Sequence, residues 1–166
     1  MSLKSNENII AQEVRTRENR DLLLLELENI SFEVFQKKST SLEDYLSGTL
    51  RMSTAKLIRT LAKDEGISLD DKEGIANLLS TLKDKLLNLK VLTLTLAFEP
   101  TEKTIDKLYD EVSKRFGPEV ILDFLKDRGV AAGAIVSYAG IYTDYSLRKI
   151  VREKFESERE KLNKII

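Results

Sequence analysis

The sequence predicts an α+β chain, with a helical bundle-like region over residues 1–89 and a small β-α-β-β-α domain over residues 90–166. Three observations predict it. Leucine and isoleucine recur at helical steps from Leu23 to Leu89. At Lys90 the period changes, and Val91 to Phe98 alternates branched apolar residues with Thr. Beyond that point come three more short apolar runs bounded by Gly, Pro or small residues, which is strand punctuation.

The helical region divides as follows. Glu7 to about Lys37 holds no Gly or Pro, and Leu23, Leu27, Ile30 and Val34 stack on one face, widened by Leu24 and Phe35. The polar stretch Glu13 to Asp21 predicts exposed or frayed early turns. Thr40 with Glu43, or Ser41 with Asp44, forms a capping-box pattern for a second helix that carries Leu42, Tyr45, Leu46, Leu50, Leu57, Ile58 and Leu61. Gly48 weakens that helix in its middle, and Gly66 ends it. Asp70 with Glu73 resembles another cap, after which Ile75, Leu78, Leu79, Leu82, Leu86 and Leu89 make the strongest amphipathic pattern in the chain.

In the second part, Thr101 is the expected N-cap of a helix through Ile105, Leu108, Tyr109, Val112 and Phe116, stopped by Gly117-Pro118. Val120 to Leu125 reads as a strand. Ala134 to Tyr138 and Ile141 to Tyr145 read as a hairpin joined at Ala139-Gly140, with Gly140 supplying a positive φ. The last helix opens near Ser146, and Leu147, Ile150, Val151 and Phe155 are expected on its inner face.

Composition narrows the function. Net charge is −1, from 27 basic and 28 acidic residues, so the basic excess that drives phosphate binding is missing. Tyr138, Tyr142 and Tyr145, with Phe98, could form a base-stacking platform, but no Lys or Arg is interleaved with them on those strands. No nucleic-acid partner is expected. With no Cys and no His, thiolate and imidazole chemistry and zinc sites built from them are excluded. No phosphate-binding glycine loop or EF-hand spacing occurs. Ser-x-x-Lys recurs at Ser53/Lys56, Ser80/Lys83 and Ser146/Lys149, as chance would produce in a Lys-rich chain. Catalytic, cofactor and metal sites are therefore all expected to be absent. Met1 to Asn8 is polar, and the apolar runs Leu22 to Leu25 and Val91 to Phe98 are too short to span a bilayer. The expected location is the cytoplasm, peripheral to a membrane complex.

Two segments carry a family resemblance. Asp127-Arg128-Gly129-Val130-Ala131-Ala132-Gly133 and Asp144-Tyr145-Ser146-Leu147-Arg148 follow the Thr-rich strand Leu94-Thr95-Leu96-Ala97 in the right order. From about Val91 to Ile150 the chain resembles the C-terminal part of the delta subunit of F-type ATP synthases, the oligomycin-sensitivity-conferring protein of mitochondria. The second segment matches well. The first has Arg128 and Ala132 where Pro and Gly are usual. No residue-level counterpart is evident before about Asp71.

The residues suggest structural roles for these motifs. Ser146 is a natural N-cap, Asp144 favours the positive end of that helix, and Gly133 lets two backbones approach. The resemblance implies a non-catalytic stator component that links the catalytic head to the peripheral stalk. It implies that the C-terminal part binds stalk subunit b, and that the N-terminal helices bind the alpha subunits of the head. Leu147, Ile150, Tyr138, Tyr142 and Tyr145 are the candidate stalk contacts, although each taken singly reads more simply as a core side chain. The rival expectation is a generic protein–protein adaptor.

Overall fold

A threonine interrupts the first long helical run. The Thr16 hydroxyl accepts the Asn19 N–H at 3.2 Å and the Thr16 carbonyl accepts the Arg20 N–H at 3.0 Å, so the helix α1 (Arg17–Gln36) starts afresh there. The structure is a computed structural model that describes residues 9–11, 13–36, 42–48 and 50–163. Its chain divides into two units, Met1–Lys90 with Glu111–Ile121 and Val91–Asp110 with Leu122–Ile166.

In the first unit the early turns of α1 are exposed at Arg17, Glu18 and Asp21 as expected, but the stretch ahead of α1 is not exposed. Ile10, Val14 and Thr16 are buried, because the few apolar residues in this polar segment stand four apart and share a face. Leu23, Leu27 and Ile30 of α1 are buried too, while the side chains of Val34 and Phe35 lie outside the described residues. The single helix expected next is two, α2 (Leu42–Gly48) and α3 (Met52–Glu65). Gly48 ends a helix rather than weakening one, consistent with the backbone freedom that makes Gly a poor helix interior. Thr40 and Ser41, the capping residues expected for α2, lie outside the described residues.

Gly66 closes α3 at φ +70°, and the Ile67 N–H returns to the Ala62 carbonyl at 2.8 Å. The helix α4 (Lys72–Leu87) is capped by Asp71, one residue later than expected, whose carboxylate accepts the Gly74 N–H at 3.1 Å. Ile75, Leu78, Leu79, Leu82 and Leu86 are buried, whereas Leu89 falls beyond the helix end and is half-buried. Helix α1 packs on α4, α2 on α3, and α3 on α4.

Side-chain pairs tie these helices across long stretches of sequence. Glu26 of α1 accepts from Arg51 Nε at 2.9 Å, Arg51 Nη2 at 2.8 Å and the Thr54 hydroxyl at 2.5 Å. Burial pushes the Glu26 carboxyl up, but the hydrogen bonds from Arg51 and Thr54 outweigh it and hold the group below the usual carboxylate range. Arg59 Nη2 meets Glu43 at 2.6 Å, and Lys83 Nζ meets Glu28 at 2.9 Å.

The second part is built on a mixed four-stranded sheet in the order β2-β1-β3-β4. Strand β1 (Lys90–Leu96) alternates as its Thr pattern requires, burying Leu92, Leu94 and Leu96. The helix α5 (Glu102–Phe116) starts at Thr101, whose carbonyl accepts the amides of Thr104 at 2.8 Å and Ile105 at 2.9 Å. The Thr101 hydroxyl meets the Thr104 hydroxyl at 3.0 Å. Gly117 turns the chain at φ +92° into β2 (Val120–Lys126).

Lys90 donates to the Glu119 carbonyl at 2.9 Å, and Asp127 donates to the Leu96 carbonyl at 2.8 Å, so β1 and β2 run the same way with α5 as their crossover. Strand β3 (Ala134–Tyr138) lies antiparallel to β1 with Leu94 opposite Val136, and β4 (Ile141–Asp144) lies antiparallel to β3. The chain continues into α6 (Leu147–Asn163). Among the described residues no helix is long and apolar enough to cross a membrane.

Candidate partner-docking face

The hairpin and the last helix are positioned by backbone chemistry that starts at residue 127. The Asp127 carboxylate accepts the Gly129 N–H at 2.7 Å and opens a single 3-10 turn over Arg128–Val130, which buries Val130. A tight turn centred on Ala131 follows, at φ 60° and ψ −64°, closed by the Ala132 N–H on the Val130 carbonyl at 2.8 Å. A non-glycine residue in this positive-φ γ-turn is strained. Nothing in the sequence pattern marked that strain.

Segments 131–134 and 144–147 then lie side by side. Tyr145 donates to the Ala134 carbonyl and Leu147 donates to the Ala132 carbonyl, each at 2.8 Å. Gly133 lies between the two acceptors at φ +89°, and a Cβ there would run into the Tyr145 carbonyl oxygen. Two motifs eleven or more residues apart in sequence thus form one joint, with Gly133 facing Tyr145 and Ser146 across it.

That joint starts α6. The Ser146 hydroxyl accepts the Lys149 N–H at 3.3 Å, and the Ser146 N–H donates to Asp144 at 2.7 Å. The hydroxyl and amide of Ser146 both hold the Asp144 carboxyl below its usual range, with Lys149 and Arg152 adding favourable charge. Ser146 is buried. Asp127 serves the turn before this joint. Arg148 is exposed.

The hairpin turn has positive φ at both central residues, 50° at Ala139 and 79° at Gly140, which is the type I′ form that matches strand twist. It presents Ile141 beside Tyr138 at the tip. Tyr142, Tyr145, Leu147 and Ile150 are exposed, and Tyr138 is half-buried. Val151 and Phe155 are exposed as well, so the expected inner face of α6 is an outer one. The stripe has the right spacing, but no other part of the chain covers it among the described residues. Ile141, 70% exposed at the hairpin tip, is a further exposed apolar side chain that its sequence pattern does not single out. An exposed run of large apolar side chains rimmed by charge marks an interaction surface.

Among its described residues the first unit carries concavities of its own. One, of about 180 Å³, is lined mainly by Ile10, Val14, Leu89 and Pro118 with Lys85 and Glu119 among its walls. Another is an open groove along α1 and α4, between Leu27, Ser31, Leu79 and Lys83. Among the described residues no group of three or more carboxylates converges as a metal site.

Comparison with known proteins settles the family. No curated protein matches the chain significantly. The family model for the ATP synthase delta (OSCP) subunit matches residues 9–155, and so reaches through the helical part that showed no residue-level counterpart. Members of this family are peripheral-stalk subunits of F-type ATP synthases, acting in proton transport and ATP synthesis. With most of its length matched and an α+β fold of helices followed by a sheet, the chain belongs to the ATP synthase delta (OSCP) subunit family.

Proposed function

We propose that this chain links the catalytic head of an F-type ATP synthase to its peripheral stalk and does no chemistry itself. The observation that carries the reading is the uncovered apolar surface of α6 and the hairpin. Leu147, Ile150, Val151 and Phe155 repeat at helical spacing and are 42–73% exposed among the described residues. Such a stripe suits a helix-to-helix contact. Burying it against a partner removes apolar surface from water at about 25 cal/mol per Å².

The division of labour follows the chain. Residues 90–166 bind stalk subunit b through Tyr138, Tyr142, Tyr145, Leu147 and Ile150. Residues 1–89 bind the alpha subunits of the head. In the joint, Gly133, Asp144 and Ser146 set the direction of α6, Asp127 shapes the turn that leads into it, and Leu147 and Arg148 are the first residues the helix presents. The protein works at the cytoplasmic face of the membrane, held there through the complex. A stator must resist torque, so stiffness at this joint matters and turnover does not.

Affinity isolation of the tagged full chain from gently solubilised membranes of its source, read by mass spectrometry, tests this. Alpha, beta and stalk subunits are expected with the wild type. The Ile150→Asp chain should retain alpha and beta and lose the stalk. Recovery of none of them by the wild-type chain, from cells shown to contain the synthase, would leave the adaptor reading in front.

A further inference from the structure

The docking face has a charge as well as an apolar stripe. Successive residues of an α-helix are about 100° apart around its axis. On α6, Leu147, Ile150, Val151 and Phe155 therefore share one side, Lys154 falls between Ile150 and Leu147, and Arg148 falls just past Phe155. Both cations are exposed.

The nearby acids are turned to other work. Glu153 lies off the stripe and faces Lys149 at 3.6 Å. Asp144 accepts the Ser146 N–H at 2.7 Å and is committed to the cap. From Leu147 to Glu156 the helix carries Arg148, Lys149, Arg152 and Lys154 against Glu153 and Glu156. The positive end of the helix dipole at the start of α6 adds favourable potential for an anion at the same end.

Resting on the stalk-binding reading above, we infer that the occupant of this face is an amphipathic helix whose apolar stripe is edged by carboxylates. It lies along the first two turns of α6, where its acids meet Arg148 and Lys154. Matching charge within and at the edge of an apolar contact selects the partner and sets its register more than it adds raw affinity.

The probes are two synthetic helical peptides with the same leucine stripe, one flanked by Glu and the other by Lys, titrated against the full chain by fluorescence anisotropy. At low salt the Glu peptide should bind roughly three- to tenfold tighter, as two exposed ion pairs allow. The preference should shrink at high salt. Arg148→Glu with Lys154→Glu should reverse it, with the circular dichroism spectrum unchanged.

Equal binding of both peptides, or binding of neither, would overturn the charge assignment. So would self-association of the chain through this face, or capture by anionic phosphatidylglycerol vesicles in place of the peptide. If stalk subunits still co-isolate in any of those cases, the stator reading stands and only the charge inference falls. If they never co-isolate, the reading beneath it falls.

Discussion

Helices α4 and α6 carry the same kind of sequence signal and meet opposite fates. In α4, Ile75, Leu78, Leu79, Leu82 and Leu86 are 0–4% exposed. In α6, Leu147, Ile150, Val151 and Phe155 are 42–73% exposed. Both stripes repeat at three and four, so periodicity identifies an apolar face without saying what covers it. Helix α4 finds its cover in α1 and α3 of the same chain. Helix α6 has no comparable neighbour, and its first turns are held instead by backbone and capping hydrogen bonds. An intramolecular stripe contributes to folding; an uncovered one keeps its burial energy for association.

The contrast can be tested from its largest effect to its smallest. Leu79→Ala removes a fully buried side chain from α4 and should cost about 2–5 kcal/mol in urea denaturation. A cost under 1 kcal/mol would mean that the helices of the first unit are not packed as described. Gly133→Ala sets a Cβ against the Tyr145 carbonyl at positive φ, and should cost about 1–3 kcal/mol or shift the start of α6. If stability and the proposed stalk binding both hold, the joint does not position the helix. Ser146→Ala deletes the hydroxyl that accepts the Lys149 amide, for an expected loss of about 1 kcal/mol.

Glu26→Gln weakens a partly exposed pair with Arg51, so about 0.5 kcal/mol is expected near neutral pH. The effect should depend on acidity in a set direction. The folded carboxyl is held below its ordinary value, so its contribution is present above about pH 4.3 and is lost as pH falls towards the lower folded value. Wild type and Glu26→Gln should therefore converge on acidification; curves that stay parallel would assign the effect to packing. The smallest change in stability should come from Ile150→Ala, within about 0.5 kcal/mol of wild type, because the side chain is half exposed. A cost like that of Leu79→Ala would mean that α6 is covered within the chain after all.

Much of the fold was legible because it rests on short-range chemistry. The alternation of β1, the Gly66 and Gly117 stops and the positive φ of Gly140 all follow from residue type and immediate neighbours. The errors arose where a local rule had two solutions. A cap was expected at Asp70 and formed at Asp71, since adjacent aspartates serve equally by composition and only the actual helix start chooses between them. A single helix across Gly48 became two, because propensity lowers helix stability there without saying whether the helix bends or ends. The polar run before Arg17 hid a buried face of Ile10 and Val14, too short a pattern to register as a helix.

The proposed docking surface was half legible. Tyr142, Tyr145, Leu147 and Ile150 could be named from their spacing, but whether they face the core or the solvent could not. Ile141 was overlooked because one isoleucine beside a turn gives no period. The strain at Ala131 left no trace in the sequence, since an alanine there is unremarkable until the backbone around it is known.

The sequence by itself determined the α+β order of elements, the absence of imidazole and thiol chemistry, and the two motifs at Asp127–Gly133 and Asp144–Arg148. Each depends on residue type, short-range spacing or composition. Only the tertiary structure decided that those motifs meet at Gly133 and Tyr145, that Glu26 reaches Arg51 and Thr54 across α1 and α3, and that the stripe of α6 faces outwards. Those are long-range relations, and burial depends on which neighbours the whole chain can bring to a surface.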